Sequence, residues 1–127
     1  NDKASHASRG RTERTKVMFS EPGTIYVYLI YGMYYCLNIV TEKKGYPAAV
    51  LIRGVRIKNQ ELSGPGKLCQ YFHIDKTLNH KPLGRKTGLW IKDGIKIPKR
   101  QIKTAPRIGV NYAGKWAKKP WRFYVKI

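Results

Sequence analysis

The segment IYVYLIYGMYYCLNIV, residues 25–40, constrains the fold more than any other stretch, because it carries five tyrosines and no charged side chain. Apolar side chains alternate with tyrosines along its first half, which is typical of a β-strand whose two faces meet different surroundings. Gly32 and Met33 follow at a position that favours a turn, and the second half is another apolar run. We therefore predict an antiparallel hairpin with strands over 24–30 and 35–40.

The length of this segment argues against a membrane span. A spanning helix needs about 20 consecutive apolar residues, whereas this run is shorter and is interrupted by Gly32 and Asn38. Residues 1–16 are polar and basic, without the apolar core of a signal peptide. We expect no membrane partner and a location inside the cell, in the cytoplasm with the nucleoid in a bacterium or in the nucleus in a eukaryote.

The charge of the chain indicates a polyanionic partner. Lys and Arg total 26 against 7 Asp and Glu, which gives a formal net charge of +19. Such an excess binds nucleic acid through the release of condensed counterions. The lysines are spread along the chain rather than gathered on one amphipathic helix, which favours nucleic acid over an anionic lipid surface. A basic domain without a polyanionic partner is the plainer alternative.

The rest of the chain predicts a mostly antiparallel sheet with little helix, an α+β or nearly all-β fold, and 127 residues suit one domain. Beyond the hairpin we expect irregular structure over 1–17, a third strand in AAVLIRGVRI (48–57), a short helix in SGPGKLCQYFHI (63–74), a hairpin around Asp93 and Gly94, and strands in RIGVNYAG (107–114) and WRFYVKI (121–127).

The cysteines and histidines predict no metal centre and no cofactor. Cys36 and Cys69 lie in apolar surroundings without a CxxC spacing, which favours buried free thiols over a disulfide or a zinc site. His6, His73 and His80 are scattered along the chain.

The hairpin allows two registers that differ in what they bring together. A two-residue turn at Gly32 and Met33 pairs Tyr28 with Leu37 and turns Asn38 to the opposite face. A three-residue loop, or a bulge, pairs Tyr28 with Asn38 and makes a pocket with one aromatic wall and one amide. The sequence leaves both open. In either case an aromatic residue at the tip of a basic protein can wedge into a step of DNA.

Seven stretches of the chain, taken in order, resemble one known family: ASH, MF, PGTIYVYLIYGMYYCLNI, AAVLIRG, SGPGKLCQ, PRIGV and KPWRFYV. The family is that of the alkyladenine DNA glycosylases, also called methylpurine or 3-methyladenine DNA glycosylases. The resemblance covers essentially the whole chain and is most specific around residues 18–40.

The resemblance implies a fold in which a β-hairpin protrudes from a curved, mostly antiparallel sheet with few short helices. It also implies a monofunctional enzyme that acts as a monomer on double-stranded DNA containing damaged purines. Such an enzyme flips an alkylated or deaminated purine out of the duplex and hydrolyses its N-glycosidic bond. At the tip of the hairpin, Tyr31 would fill the gap left by the flipped base, with Met33 and Tyr34 beside it in the minor groove.

The resemblance also implies the residues of a base pocket. Tyr28 matches an aromatic wall that stacks on the extruded purine, with Tyr26 close by. His6, in the ASH motif, matches the histidine on the other side of the base. Asn38 matches the asparagine that crowds the exocyclic amino group of a normal guanine, and Arg53 matches the arginine that helps to hold the nucleophilic water.

The chain departs from the family at the catalytic step. The family's general base is a glutamate in a strand resembling VETEAY, just before the ASH motif, and none of the 7 acidic residues matches that position. A WVS segment after RFYV is also absent, and the connection over 54–62 is shorter than in the family. We expect one glycosylase domain over 1–127, trimmed at both ends and in that connection, with weak or no activity by itself.

A non-catalytic module is the alternative function. In this reading, exposed tyrosines of a small basic domain stack on the bases of distorted DNA or of single-stranded RNA.

Overall fold

The computed structural model describes Asp2, Ser5, Ala7, Thr12 and residues 15–125. Its strands are β1 (Ile25–Ile30), β2 (Tyr34–Val40), β3 (Ala49–Leu51), β4 (Gly54–Ile57), β5 (Gln60–Ser63), β6 (Ile102–Ala105) and β7 (Arg122–Val125). The α-helix α1 spans Pro65–Phe72, and 3-10 helices span Lys16–Phe19, Lys76–Leu78, Lys99–Gln101 and Asn111–Lys118. The strand pairs are antiparallel and the helices are short, so the predicted α+β class is confirmed.

The tyrosine-rich hairpin is the centre of the main sheet. β1 pairs with β2, and β3 adds to the other edge of β2, which gives the strand order β1-β2-β3. The strand predicted over 48–57 is wrong as a single element, because the chain leaves the sheet after Leu51 and pairs again as the separate hairpin β4–β5. Gly54 begins that hairpin, and its missing side chain accommodates the Leu62 carbonyl oxygen, 3.1 Å from where a Cβ would stand.

The helix α1 packs against the hairpin and forms the main apolar core with it. Pro65 occupies the first turn, where a missing N–H is harmless. His73 ends the helix in the left-handed conformation at φ 56°, and its N–H donates to the Cys69 and Gln70 carbonyls. The predicted helix is confirmed. The buried core residues are Ile25, Val27, Leu37, Leu68, Cys69 and Ile74.

The two thiols are free and buried, as predicted. Burial raises the pKa of Cys69 to about 11, with a further contribution from the neighbouring Cys36. A thiol with so high a pKa stays protonated at neutral pH and behaves as a small apolar side chain.

Two predicted elements in the C-terminal third are wrong. Residues 90–98 contain no strand, so the hairpin around Asp93 and Gly94 does not form. The strand expected over 107–114 is replaced by a turn and the start of the 3-10 helical segment Asn111–Lys118. Gly109 and Gly114 adopt positive φ angles of 77° and 60°, which interrupt an extended strand.

The chain divides into two compact units, Gly10–Ile91 and Asn1–Arg9 with Lys92–Ile127. In the second unit β6 pairs with β7, which confirms the strand expected over 121–127 as far as Val125. Arg107 donates to both carboxylate oxygens of Asp2, at 2.7 and 3.0 Å, and its guanidinium lies 5.0 Å from the Trp121 ring centre. A planar guanidinium suits such a bidentate and stacked position, so Arg107 anchors Asp2.

Among the residues that the structure describes, no helix has the length and apolar character to cross a membrane.

Candidate nucleic-acid interface

The tip of the hairpin is a three-residue loop, 31–33, closed by a 3.0 Å hydrogen bond from Met33 N–H to the Ile30 carbonyl. Both Tyr31 and Gly32 have positive φ angles, of 54° and 65°. Glycine adopts this conformation freely, whereas for tyrosine it costs on the order of 1 kcal/mol. The backbone thus holds Tyr31 outwards, with its side chain 89% exposed. Met33 and Tyr34 flank it and are also exposed.

The observed register resolves the two alternatives in favour of a three-residue loop. Tyr28 lies opposite Cys36, and Tyr26 lies opposite Asn38. The predicted direct pairing of Tyr28 with Asn38 is wrong, because the loop begins one residue earlier than that pairing requires. Since side chains alternate between faces, the two tyrosines, Cys36 and Asn38 still share one face of the hairpin.

The two tyrosines on this face have different roles in packing. Tyr26 is almost fully buried and Tyr28 is half-buried, with ring centres 5.2 Å apart and an interplanar angle of 43°. Burial raises the pKa of the Cys36 thiol opposite, and a hydrogen bond with the Tyr28 side chain partly offsets this rise. Tyr28 is therefore supported by Tyr26 and Cys36 and is the more accessible of the two aromatic rings.

Asn38 lies in the middle of the three-stranded sheet. It pairs with Tyr26 on one side and with Leu51 on the other, and its side chain is buried. Its Nδ2 donates to the carbonyls of Tyr26 and Cys36 at 3.4 and 3.5 Å, beyond the usual 2.7–3.2 Å range of N–H···O bonds. The register puts Asn38 on the hairpin face that carries Tyr28, and these long contacts hold its amide only weakly.

Arg53 and His6 complete the residues that the resemblance implies. Arg53 follows two residues after Leu51, the register partner of Asn38, and is half-buried. Its carbonyl accepts a 2.8 Å hydrogen bond from Gly64 N–H, which ties it to the start of α1. His6 lies outside the described residues. The structure thus brings Tyr26, Tyr28 and Asn38 onto one face and holds Arg53 at the end of the adjoining strand.

A feature that the sequence analysis missed is the packing of the tip against α1. The side chain of Tyr34 lies so close to Gly66 that an added Cβ would approach Tyr34 Cδ1 to 2.9 Å. The Gly-Pro-Gly run before α1 was the available signal, because glycine permits close approach of a neighbouring group. Beside this contact is an apolar depression of about 340 Å³, lined by Ile30, Tyr31, Tyr34, Cys36, Gly64, Pro65, Gly66 and Lys67.

Comparisons with known proteins agree with this architecture. The family model for methylpurine-DNA glycosylase matches residues 1–127. A curated protein of Methanocella arvoryzae, named "Putative 3-methyladenine DNA glycosylase", is 51% identical over 142 residues, covering 99% of this chain and 70% of that protein. A protein of the same name from Rickettsia peacockii is 50% identical over 129 residues, covering 98% of this chain and 67% of that protein.

The chain belongs to the methylpurine-DNA glycosylase family. The resemblance drawn from the sequence motifs is therefore confirmed, and the family consists of DNA-repair hydrolases that excise bases.

Proposed function

We propose that this protein recognises alkylated or deaminated purines in double-stranded DNA, flips them out of the helix and takes part in hydrolysis of their N-glycosidic bond. Family membership and the names of the curated relatives support this proposal. It acts as a monofunctional, monomeric glycosylase, and residues 1–127 belong to one glycosylase domain.

One observation carries the proposal: a single hairpin presents an exposed Tyr31 at its tip and Tyr26, Tyr28 and Asn38 on one face below it. Tyr31 enters the duplex and occupies the space of the extruded base, with Met33 and Tyr34 against the minor groove. Tyr28 lies three residues before Tyr31 in the chain, about 10 Å from the tip. A nucleotide that swings out of the stack beside Tyr31 therefore meets the Tyr28 ring.

The pocket distinguishes damaged from normal bases by aromatic stacking and by steric exclusion. Alkylated purines often carry positive charge, which attracts them to the electron-rich face of Tyr28. Stacking tolerates substituents, and a weakly paired lesion unstacks at the lowest cost, so a range of damaged bases enters. The buried amide of Asn38 then rejects a normal guanine by occupying the space of its exocyclic amino group.

The hydrolytic step requires a water that Arg53 helps to hold and a general base. An efficient base has a pKa near the operating pH. Asp75 does not meet this requirement, because hydrogen bonds from the Thr77 side chain and backbone lower its pKa. Its side chain also serves as the N-cap of the helix Lys76–Leu78. We propose that residues 1–127 supply recognition without the base, so that excision by this chain is weak, most of all for neutral lesions.

The test is a pair of matched tyrosine substitutions. Tyr31→Ser removes the proposed wedge, and Tyr46→Ser removes another exposed tyrosine, in the loop between β2 and β3. Stacking of a base on an aromatic ring contributes roughly 1–3 kcal/mol, about 5- to 150-fold in affinity. Tyr31→Ser should lower the ratio of affinities for lesion and undamaged duplexes by this factor, and Tyr46→Ser should leave it unchanged. Equal losses on both duplexes would make Tyr31 a residue of the fold instead.

A non-catalytic basic module is the second candidate function. The exposure of Tyr31 (89%), Tyr112 (72%), Tyr46 (56%) and Tyr71 (55%) favours it, since each ring could stack on an unpaired base. A competition between a lesion duplex and a single-stranded RNA of equal length separates the two functions. The glycosylase proposal predicts that the duplex wins, whereas the module predicts that the RNA does.

A further inference from the structure

A second depression, of about 380 Å³, lies at the base of the hairpin, at the end opposite to Tyr31. We call it the basal notch, and it is lined by Lys16, Phe19, Ser20, Lys44, Gly45 and His80. These residues come from three parts of the chain: the 3-10 helix Lys16–Phe19 with its following residue, the loop between β2 and β3, and the segment after the helix Lys76–Leu78.

Backbone hydrogen bonds hold the three parts of the basal notch together. Gly45 N–H donates to the Phe19 carbonyl at 2.7 Å, which fastens the loop to the 3-10 helix. His80 N–H donates to the Ile25 carbonyl at 2.7 Å, at the first residue of β1. His80 has a positive φ of 73°, a conformation that is rare for a residue with a side chain and that the surrounding bonds must maintain. Backbone hydrogen bonds therefore fix the positions of the segments that line the notch.

The side chains of the basal notch are donors suited to an anion. Lys44 supplies an exposed ammonium group, and Ser20 Oγ and His80 Nε2 share a hydrogen bond of 3.2 Å at its wall. When the imidazole donates to Ser20 Oγ, the hydroxyl proton remains available to an anion beside the ammonium group. The neighbouring acidic residues in the sequence, Glu21 and Glu42, do not line the notch. The described residues that line the notch include lysine and no Asp or Glu.

We propose that the basal notch binds a phosphate group. A phosphate presents several strongly accepting oxygens and negative charge to these donors, and lysine binds it as a point charge. β1 places the notch about 20 Å from Tyr31, at roughly 3.3 Å per residue. The notch is therefore separate from the lesion pocket. Its ligand is either inorganic phosphate from solution or a backbone phosphate of a DNA segment away from the flipped nucleotide.

The test is a titration of the 127-residue chain with inorganic phosphate, followed by the backbone amide and histidine ring signals in NMR spectra at constant ionic strength. Saturable shifts at Ser20, Gly45 and His80, without shifts at the Gly66 amide beside the hairpin tip, are expected. Lys44→Gln should weaken phosphate binding by about two- to fivefold, the range for one exposed ionic contact.

Lys43→Gln is the matched control, because Lys43 is the exposed neighbour of Lys44 and does not line the notch. It should leave phosphate binding unchanged. Shifts that do not saturate, or equal weakening by the two substitutions, would overturn the proposal, since either result describes a general response to salt.

A second titration, with an undamaged DNA duplex, identifies the source of the phosphate. If the same notch signals shift with duplex and the shift is reduced in Lys44→Gln but not in Lys43→Gln, the site takes a DNA phosphodiester. If they shift with inorganic phosphate alone, the site takes the free anion. Both results support a phosphate site, and neither depends on the proposed glycosylase activity, which is read from lesion binding by Tyr31 variants.

Discussion

Replacing Gly66 with alanine should loosen the packing between the hairpin tip and α1. A Cβ at this position would lie 2.9 Å from Tyr34 Cδ1 and 3.1 Å from both Tyr34 Cβ and Tyr34 Cγ. Carbon atoms attract each other best at about 3.5–4.0 Å, so all three contacts are repulsive. Because Tyr34 Cβ is fixed by the strand backbone, rotation of the ring cannot relieve the whole overlap, and the tip must shift away from the helix.

The expected cost is the difference between two opposing effects. Overpacking a close contact costs about 1–3 kcal/mol. Alanine in a helix is favoured over glycine by about 0.5–1 kcal/mol, which offsets part of this cost. Gly66→Ala should therefore lower the free energy of unfolding by about 0.5–2 kcal/mol, or the Tm by roughly 2–8 °C for a chain of this size.

Urea denaturation with a double-mutant cycle measures this effect. In a Tyr34→Ala background the two contacts with the ring are gone and only the 3.1 Å contact with Cβ remains, so Gly66→Ala should cost less there and the two substitutions should couple. Gly94→Ala is the control, because a Cβ at Gly94 meets no atom within 4 Å. If Gly66→Ala were as stable as the parent chain, or cost the same in both backgrounds, the described contact between tip and helix would be wrong.

Four further outcomes follow from the site and the core. Asn38→Ser should let duplexes with undamaged guanine compete better for the lesion site, measured as a reduced affinity ratio between lesion and undamaged DNA. Affinity for any duplex should fall steeply between 50 and 200 mM salt, by about 10³-fold or more if six or more phosphates are contacted, measured by fluorescence anisotropy. Burial and Cys36 raise the pKa of the Cys69 thiol from 9.0 to about 11, so the folded chain keeps this proton to a higher pH than the unfolded chain does. The free energy of unfolding should therefore be highest below pH 9 and should fall between pH 9 and 11. Cys69→Ala should show a shallower decline of unfolding free energy over that range, by up to about 2 kcal/mol. Hypoxanthine, a neutral lesion, should not be released from a duplex in a single-turnover assay with this chain, and release at an enzymatic rate would mean that residues 1–127 contain the base.

The parts of the fold that the sequence predicted correctly are those determined by local pattern. The hairpin follows from alternation around Gly32, and α1 follows from an apolar face after a Gly-Pro-Gly run. The buried thiols follow from their apolar neighbours. The sequence left the face of Asn38 open, because a strand period of two puts Asn38 on the face of Tyr26 and Tyr28 only when the loop has an odd number of residues.

The parts that the sequence did not predict depend on partners distant along the chain. Ile91, Ile95 and Ile97 alternate as in a strand, yet residues 90–98 find no partner strand among the described residues and remain irregular. The break after Leu51 depends on β5, which competes for the residues that follow. The contact of Gly66 with Tyr34 joins elements more than 30 residues apart, which no local pattern reveals.

The central claim, that Tyr31 opens the DNA stack, is tested most directly by the fluorescence of 2-aminopurine placed next to a hypoxanthine in a duplex. This base brightens when its neighbour leaves the stack. The chain should produce a saturable increase, Tyr46→Ser should keep it, and Tyr31→Ser should lose it at concentrations where anisotropy shows that the duplex is bound. An undiminished increase with Tyr31→Ser would contradict the account, because the base would then leave the helix without the wedge.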